Sequence, residues 1–318
     1  MSAPLRLGTR RSALATTQSG HVADALRSLG HEVELVPVVT EGDVSRAPLV
    51  TLGGTGVFAA ALREALVRGE IDLAVHSLKD LPTAPHPDLI VAAIPGREDP
   101  RDAVVTADGR ALAELGPGAR VGTGSPRRAA QLRALGWGLE PQDVRGNVDT
   151  RLRLVTDGAV DAVVLAHAGL RRLGLGDRVS EVLDPIQMLP APGQGALAVE
   201  CRTDRTDLRE ILAPLDDSDT RVCVEAERGV LALLEAGCSA PVGALAEIVE
   251  GEAAEGDGAL ELSLRAAVVA PDGSAELRRS AVGDPDDPHG LARRLADLLI
   301  EDGAGDLMTT PTSLEDPQ

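Results

Sequence analysis

Short apolar runs alternate with helical patterns along the first two thirds of the chain, and this alternation constrains the fold most. Leu73–His76 and Ala162–Ala166 have the length and composition of buried strands. Ser12–Leu29 and Ser125–Leu135 have the pattern of helices, and Ser125 can cap the second of them. Such strand–helix alternation predicts parallel sheets that are covered by helices on both faces.

Two irregular segments rich in proline and glycine, Pro95–Asp102 and Leu189–Gly195, interrupt the alternation. Segments of this kind indicate turns or crossings between domains. Because there are two, we expect the chain to leave a first domain, build a second and return. The first α/β domain is then expected at 1–97 and 196–215, and the second at 101–190, with a ligand-binding cleft between them.

The pattern changes after about residue 217. We expect a small α+β domain at 217–302, followed by a disordered tail at 303–318. Its predicted elements are the helix Thr220–Ala236, the antiparallel strands Val242–Glu250, Leu260–Ala270 and Ala275–Val282, and the helix Asp287–Glu301.

Composition narrows the class of protein. Hydrophobic residues make up 43% of the 318, yet no apolar run reaches the roughly 18–20 residues that span a bilayer, and the start lacks a secretory pattern. We therefore expect a cytoplasmic protein with no membrane partner. The net charge is −19, with −16 of it in residues 201–318. This acidic third is interpreted as a solvated surface, and nucleic acid is not an expected partner.

The cysteines and histidines predict no metal site. Three cysteines without a CxxC pair argue against a disulfide framework or a thiolate zinc site. The six histidines show no ligand spacing. Cys201 and Cys223 fall within strand and helix patterns typical of buried packing. Cys238 falls in a Gly/Pro turn, Ala236–Pro241, and is either an exposed attachment point for a covalent group or a small buried residue.

Arginines cluster where three predicted strands pass into helices. With Ser125 as N-cap and Pro126 as first helical residue, Arg127 and Arg128 lie in a first turn, where the macrodipole disfavours cations unless an anion binds there. Because the carboxyl ends of parallel strands share one edge, the three sites predict a ligand with several carboxylates or phosphates. The alternative is a set of arginines that point to solvent. The sites hold Arg10, Arg127 with Arg128, and Arg145 with Arg151.

Lys79 is the only lysine, and it stands beside Asp80 at the end of a predicted strand. In a cleft lined by arginine, Asp80 is the negative group that can handle a proton or stabilise a cation. An ordinary Lys–Asp turn pair is the alternative. Phe58, the only phenylalanine, follows a Gly-rich segment that is either a lid or a simple loop.

Seven motifs in this order resemble the porphobilinogen deaminase family. They are TRRSALA (9–15), VHSLKDLP (75–82), GTGSPRR (122–128), RGNVDTRL (145–152), AGLRRLGL (168–175), LPAPGQGALAVECR (189–202) and AGCSAPVGA (236–244). The resemblance extends to about residue 300. It implies two periplasmic-binding-protein-like (type II) α/β domains with a central cleft, and a small α+β third domain.

The resemblance also implies an activity. The chain is expected to be a transferase of porphyrin and haem biosynthesis, a hydroxymethylbilane synthase. It would deaminate four porphobilinogen molecules and join them head to tail on a covalent dipyrromethane primer, then release hydroxymethylbilane. A thioether at Cys238 would hold the primer, and Asp80 would be the catalytic carboxylate. We expect a monomer that can hand its product to the next pathway enzyme.

The remaining family positions fall on residues able to pair with acetate and propionate groups or to line a pocket. Cofactor-side positions are Ser77, Lys79, Asp80, Thr123, Ser125, Arg127, Arg128, Arg145 and Arg151. Substrate-side positions are Arg10, Ser12, Gln18, Phe58, Arg145, Arg151 and Arg172. Helix packing is the alternative for Phe58, and a favourable place at a helix C-terminus is the alternative for Arg172.

Two points stay open. Thr51 and Thr55 stand where many family members carry loop lysines, and the effect of the missing lysines on carboxylate binding stays open. The alternative function is a non-catalytic two-domain module that binds a small anion or senses an effector.

Overall fold

A computed structural model describes residues 3–38, 56–236, 240–251 and 260–308. Three sheets organise these residues, two of five strands and one of three. The strands are β1 (Leu5–Thr9), β2 (Val33–Pro37), β3 (Leu73–Ser77), β4 (Leu89–Ala93), β5 (Asp102–Thr106), β6 (Arg120–Thr123), β7 (Glu140–Asp143), β8 (Ala162–Ala166), β9 (Glu181–Val182), β10 (Leu197–Arg202), β11 (Val242–Glu250), β12 (Leu260–Val269) and β13 (Glu276–Gly283). The helices are α1 (Ala13–Ser28), α2 (Gly56–Val67), α3 (Pro126–Ala134), α4 (Val148–Thr156), α5 (His167–Arg172), α6 (Thr206–Leu212), α7 (Ser218–Leu233), α8 (Pro288–Glu301) and α9 (Ala304–Met308).

The two five-stranded sheets share one strand order. The first runs β2-β1-β3-β10-β4 and the second β7-β6-β8-β5-β9. In each sheet, four strands run in one direction, and the strand in the fourth position runs the other way. Each sheet forms the centre of one lobe. The prediction of two α/β lobes is confirmed by this repeated order.

The prediction of wholly parallel sheets is wrong for β5 and β10. Each is the first strand after a crossing between lobes. Leu197 at the start of β10 lies opposite Ser77 at the end of β3, and Asp102 at the start of β5 lies opposite Ala166 at the end of β8. The crossings therefore lie at the edges where the parallel strands end, and a strand entering from that edge must run antiparallel to them.

Helices cover both faces of each sheet, as predicted. In the first lobe, Leu26 of α1 packs on one face and Leu66 of α2 on the other. In the second lobe, Leu132 of α3 and Leu152 of α4 take the corresponding places. Burial of a leucine of this kind contributes roughly 1.5–3 kcal/mol, so the two faces anchor the helices that carry the site.

The third sheet, β11-β12-β13, is antiparallel and is covered by α7 and α8. Its elements agree with the predicted α+β domain, and β11 has the predicted bounds. The expectation of disorder from 303 is wrong for the first residues of that stretch. Ala304 begins α9 and is fully buried against the same core, so this segment gains apolar contacts that a free tail lacks. Residues 309–318 lie outside the described residues.

The two crossings run side by side. Gly195 has φ +90°, and a Cβ there would lie 2.3 Å from the Glu98 carbonyl oxygen, so only glycine fits. The Glu98 N–H donates to the Gly195 carbonyl at 3.3 Å. The exact domain boundaries stay a prediction. Within the described ranges, no helix combines the length and apolar character needed to cross a membrane.

Candidate active site at the lobe crossings

Lys79 and Asp80 lie in a single 3₁₀ turn, Leu78–Asp80, directly after β3. Both side chains are half-buried. The Lys79 ammonium donates to Gln194 Oε1 at 3.2 Å. Burial, together with the charge of Arg128, lowers the pKa of Lys79 to about 8, although the charge of Asp80 opposes this change. Lys79 is therefore a cation held in a site that already contains another cation.

Arg228 of α7 fixes this turn from the third domain. Its Nη1 donates to the carbonyls of Leu78 and Leu81, both at 3.0 Å, and its Nη2 donates to the Pro82 carbonyl at 2.7 Å. Three charge-assisted hydrogen bonds from one planar guanidinium define the path of the backbone that carries Asp80.

Helix α1 meets the end of β3 through a side-chain pair. The amide and hydroxyl groups of Gln18 and Ser77 lie within hydrogen-bonding distance, the Nε2–Oγ separation being 3.0 Å. Ser12 caps α1 by accepting from the Ala15 N–H at 3.3 Å. Arg10 is half-buried between β1 and α1. The predicted substrate-side residues Arg10, Ser12 and Gln18 thus lie around one end of α1.

Thr123 and Ser125 shape the start of α3 in the second lobe. Thr123 is buried at the end of β6 and its Oγ1 accepts from the Ser125 N–H at 3.2 Å. Ser125 is the N-cap and Pro126 the first helical residue, as predicted. This geometry places the next two arginines in the first turn of α3.

Arg127 and Arg128 are already paired with an acid of this chain. The expectation that a ligand supplies the anion at this helix start is therefore wrong in part. Both arginines are buried and share the fully buried Asp102, with Arg127 Nη2 at 2.7 Å and Arg128 Nη2 at 2.8 Å from its two oxygens. Arg127 also donates to the Leu189 carbonyl. Burial alone would raise the pKa of Asp102, but the two guanidinium groups hold it well below its ordinary value. The anion expected at this helix start is therefore supplied in part by the protein itself.

Arg145, Arg151 and Arg172 differ from that pair. Arg145 is exposed and donates to Asp143 at 3.0 and 3.1 Å. Arg151 donates to the Gly146 carbonyl at 2.9 Å and Arg172 to the Gly195 carbonyl at 2.6 Å. Neither Arg151 nor Arg172 donates to any carboxylate in the described part of the chain.

The pKa of both guanidinium groups is shifted in the same direction. Burial lowers the pKa of Arg151, and the charges of Arg128 and Arg145 lower it further. Burial also lowers the pKa of Arg172, against the attraction of Glu98. Arg6, by contrast, has its pKa raised by its hydrogen bonds to Asp72. The crossings thus hold two half-buried arginines that Asp143 and Glu98 attract only in part and that donate to no carboxylate within the described ranges.

Four positions of interest fall outside the described residues. They are Cys238, Thr51, Thr55 and the side chain of Phe58. The cysteines that the structure describes behave as predicted. Cys201 and Cys223 are buried, and burial raises the pKa of both thiols, that of Cys223 to about 11. Neither is a reactive thiolate at neutral pH.

Sequence reasoning missed the polar groups that join the lobes. Asp102 and Gln194 are both fully buried, and Glu227 of α7 accepts from Arg97 Nη1 at 2.6 Å and from the Gly193 N–H at 2.7 Å. A buried acid or amide inside a Pro/Gly-rich crossing was the available signal, because such a group needs a partner. In the described ranges, no group of three or more His, Cys, Asp or Glu side chains is placed to hold a metal ion.

Fold and site together define a two-lobed α/β protein with a third α+β domain and a set of cations suited to a ligand with several carboxylates. The family model "Porphobilinogen deaminase, dipyromethane cofactor binding domain" matches residues 5–210, and "Porphobilinogen deaminase, C-terminal domain" matches 221–301. The porphobilinogen deaminase of Nocardia farcinica is 57% identical over 98% of this chain and 90% of its own length. That of Mycobacterium tuberculosis is 58% identical over 96% and 98%. This chain belongs to the porphobilinogen deaminase family.

One solved structure is a distant match. The methionine-binding protein MetQ is 14% identical, with a TM-score of 0.44 over 68% of this chain and 91% of that one. This similarity is too distant to bear on function.

The donor set fits the dipyrromethane cofactor of the family. That group carries several carboxylates, and the site offers Lys79, Arg128 and Arg151 close together. The Nε of Arg127 is buried and has no hydrogen-bond partner among the described residues. The site therefore has more cationic donors than internal acids, and a polyanionic group requires such a surplus of cations.

Proposed function

We propose that this chain performs the reaction of its family at the lobe crossings. It deaminates four porphobilinogen molecules in turn, joins them head to tail on a dipyrromethane primer, and releases hydroxymethylbilane. The product is a linear tetrapyrrole. The proposal includes the assignment of the site residues given below.

One observation carries the proposal: half-buried Arg151 and Arg172 donate to backbone carbonyls and to no described carboxylate. Each pyrrole of the substrate brings an acetate and a propionate, so the growing chain is a polyanion. Arginine pairs with carboxylates in a bidentate geometry that lysine cannot reproduce. These two residues are therefore assigned to carboxylate binding, together with exposed Arg145 and half-buried Arg10.

Asp80 is assigned to proton transfer and charge stabilisation. Its turn is held by Arg228 and follows a buried strand, so its carboxylate has a defined position. As the acid it can pass a proton to the departing amine. As carboxylate it can then stabilise the positive charge left on the substrate and accept from pyrrole N–H groups.

The cofactor supplies, when bound, the pyrrole carbon on which the chain grows. Lys79, Arg127, Arg128, Thr123, Ser125 and Ser77 are assigned to holding it, and Cys238 to its thioether. Support for Cys238 comes from the other cysteines, because Cys201 and Cys223 are buried with raised thiol pKa values. Phe58 is assigned to stacking on a pyrrole ring.

Intact-mass spectrometry with a turnover assay tests the proposal. The purified protein should carry excess covalent mass equal to two linked pyrroles. Cys238→Ala should remove that mass, whereas the matched control Cys223→Ala should retain it. Asp80→Asn should retain both the fold and the added mass while ammonia release from porphobilinogen falls by orders of magnitude.

The same assay distinguishes the proposal from the non-catalytic alternative, which predicts neither a covalent pigment nor ammonia release. A folded, unmodified protein without activity would overturn the proposal. Near-normal turnover in Asp80→Asn would remove Asp80 from the chemistry. The cytoplasmic location, the monomeric state and the transfer of product to a following enzyme stay predictions.

A further inference from the structure

Gln194 occupies the point where the two lobes meet. It lies in the second crossing and is fully buried. Its Oε1 accepts from Lys79 Nζ of the first lobe at 3.2 Å and from Arg128 Nη2 of the second lobe at 3.4 Å. Its Nε2 donates to Asp102 Oδ1 and to the Pro100 carbonyl, both at 2.7 Å.

All four hydrogen-bonding positions of this amide are therefore in use. The orientation of the amide is also determined by its neighbours. A flipped amide would turn its N–H groups toward Lys79 and Arg128, and its oxygen toward a carboxylate and a carbonyl. Each of the four contacts would then be repulsive, so the amide oxygen must face the cations.

We propose that Gln194 is a positioning residue of the active site, in which one neutral oxygen holds the Lys79 ammonium and the Arg128 guanidinium at a common point between the lobes. This inference rests on the proposed function for its meaning in catalysis. Its structural content, that Gln194 holds Lys79, can be tested without any substrate.

A glutamine suits this position better than its nearest alternatives. Methionine has a similar length but offers neither the oxygen nor the N–H groups. Glutamate keeps an oxygen for Lys79 but places a second negative charge beside Asp102 and loses the donor to it. A neutral acceptor holds the two cations in place while leaving their charge available to a carboxylate ligand.

The groups that face the Lys79 ammonium come from both lobes. Arg128 and Arg127 of α3 lower its pKa together with burial, whereas Asp80 on its own turn and Asp102 of β5 raise it. Removing Gln194 Oε1 takes away a hydrogen bond that is stronger for the charged ammonium than for the neutral amine. The pKa of Lys79 should therefore fall in Gln194→Met, by about one pH unit for the loss of one charged hydrogen bond. In Gln194→Glu, the added carboxylate should raise it instead.

Because Lys79 is the only lysine, its titration can be observed without assignment. Protein labelled with ¹³C at lysine Cε gives one lysine resonance, and its shift against pH reports the pKa of Lys79. We expect a value of about 8 in the natural chain. Gln131→Met is the matched control. That amide is equally buried and bonds to Leu189 of the same crossing, with no bond to Lys79.

The expected result is a pair of shifts of opposite sign for the two Gln194 variants, with no shift in the control. A change in overall packing moves both variants in one direction and does not produce this pattern. If Gln194→Met does not fold, Gln194→Glu alone still tests the upward shift. A Lys79 titration that is unchanged in Gln194→Glu overturns the inference.

Turnover supplies the catalytic arm of the test. In Gln194→Met with its covalent mass intact, the alkaline limb of the kcat/KM profile should move with the Lys79 resonance. A profile that stays in place while the resonance moves overturns the catalytic part of the inference. Absence of covalent mass or ammonia release in the natural chain is a separate outcome, which would reject the proposed function.

Discussion

Replacing Asp102 by asparagine should destabilise the second lobe more than any other single loss of charge described above. The carboxylate is fully buried at the start of β5. It accepts from Arg127 Nη2 at 2.7 Å, from Arg128 Nε and Nη2 at 3.1 and 2.8 Å, and from Gln194 Nε2 at 2.7 Å. Asparagine has one acceptor oxygen and no charge, so its NH₂ must face a donor.

The size of this destabilisation follows from the burial of Asp102 and of the two arginines that pair with it. Removing one member of a buried ion pair costs about 3–5 kcal/mol, because the charge that is left has neither water nor a counterion. Here two guanidinium groups lose one shared carboxylate, so we expect the upper part of that range. With a urea m-value of about 2 kcal/mol/M, the unfolding midpoint should fall by about 2 M.

Fluorescence of Trp137 is the appropriate assay. It is the only tryptophan, and it packs against the core of the second lobe, so its signal follows the unfolding of that lobe. Asp161→Asn is the matched control. Asp161 pairs with Arg120 in the same lobe at 2.9 Å, but both side chains are about 40% exposed. Such a pair contributes about 1 kcal/mol or less.

The dependence on pH gives a second measurement on the same variant. The pKa of Asp102 is held well below its ordinary 3.8 in the folded protein, so the pair contributes its full stability above that pH. As the pH falls below 3.8, the unfolded chain binds the proton first and the contribution declines. Asp102→Asn should lack this decline. Equal loss of stability in Asp102→Asn and Asp161→Asn would refute the assignment of Asp102 as the buried counterion.

Two further predictions concern other buried groups. Burial alone would raise the pKa of Glu200, but His76 and Arg63 hold it at about 2, so thermal stability should decline through this group from about pH 4.5 towards pH 2. Glu200→Gln should remove that part of the decline, and an acid limb that is unchanged in this variant would contradict the prediction. Cys201 and Cys223 should resist a thiol reagent at neutral pH in the folded protein and react in urea, because burial raises the pKa of both thiols. Mass spectrometry of the labelled protein measures the extent of reaction, and rapid labelling without urea would contradict the prediction.

The sequence predicts elements best where their pattern is complete. β8 and β11 have the predicted bounds because each is a continuous apolar or alternating run with clear ends. β7 was not predicted, since Glu140–Asp143 is a polar, largely exposed edge strand without alternation. The direction of β5 and β10 was also missed. Periodicity indicates that a strand is buried, but only its entry point determines which way it runs.

The sequence predicts which residues form the candidate site, but it does not predict the charge balance among them. Arg128 and Arg151 give the same signal, an arginine within the first turns of a helix after a strand. In the structure Arg128 pairs with Asp102, while Arg151 has only a carbonyl partner in the described part of the chain. The difference comes from Asp102, which is 26 residues away from Arg128 along the chain. No local pattern contains such a pairing.

This difference divides the cations of the site into two kinds. Arg127 and Arg128 share one internal carboxylate, so the cluster keeps a single net positive charge and a rigid geometry. Asp143 attracts Arg151 and Glu98 attracts Arg172, but neither acid forms an ion pair with its arginine, so burial keeps each charge costly until an anion arrives. A ligand carboxylate relieves this cost at Arg151 and Arg172 but must compete with Asp102 at the cluster. The lengthening polyanion should therefore bind most strongly through the arginines that form no ion pair with an internal acid, while the paired cluster sets its position.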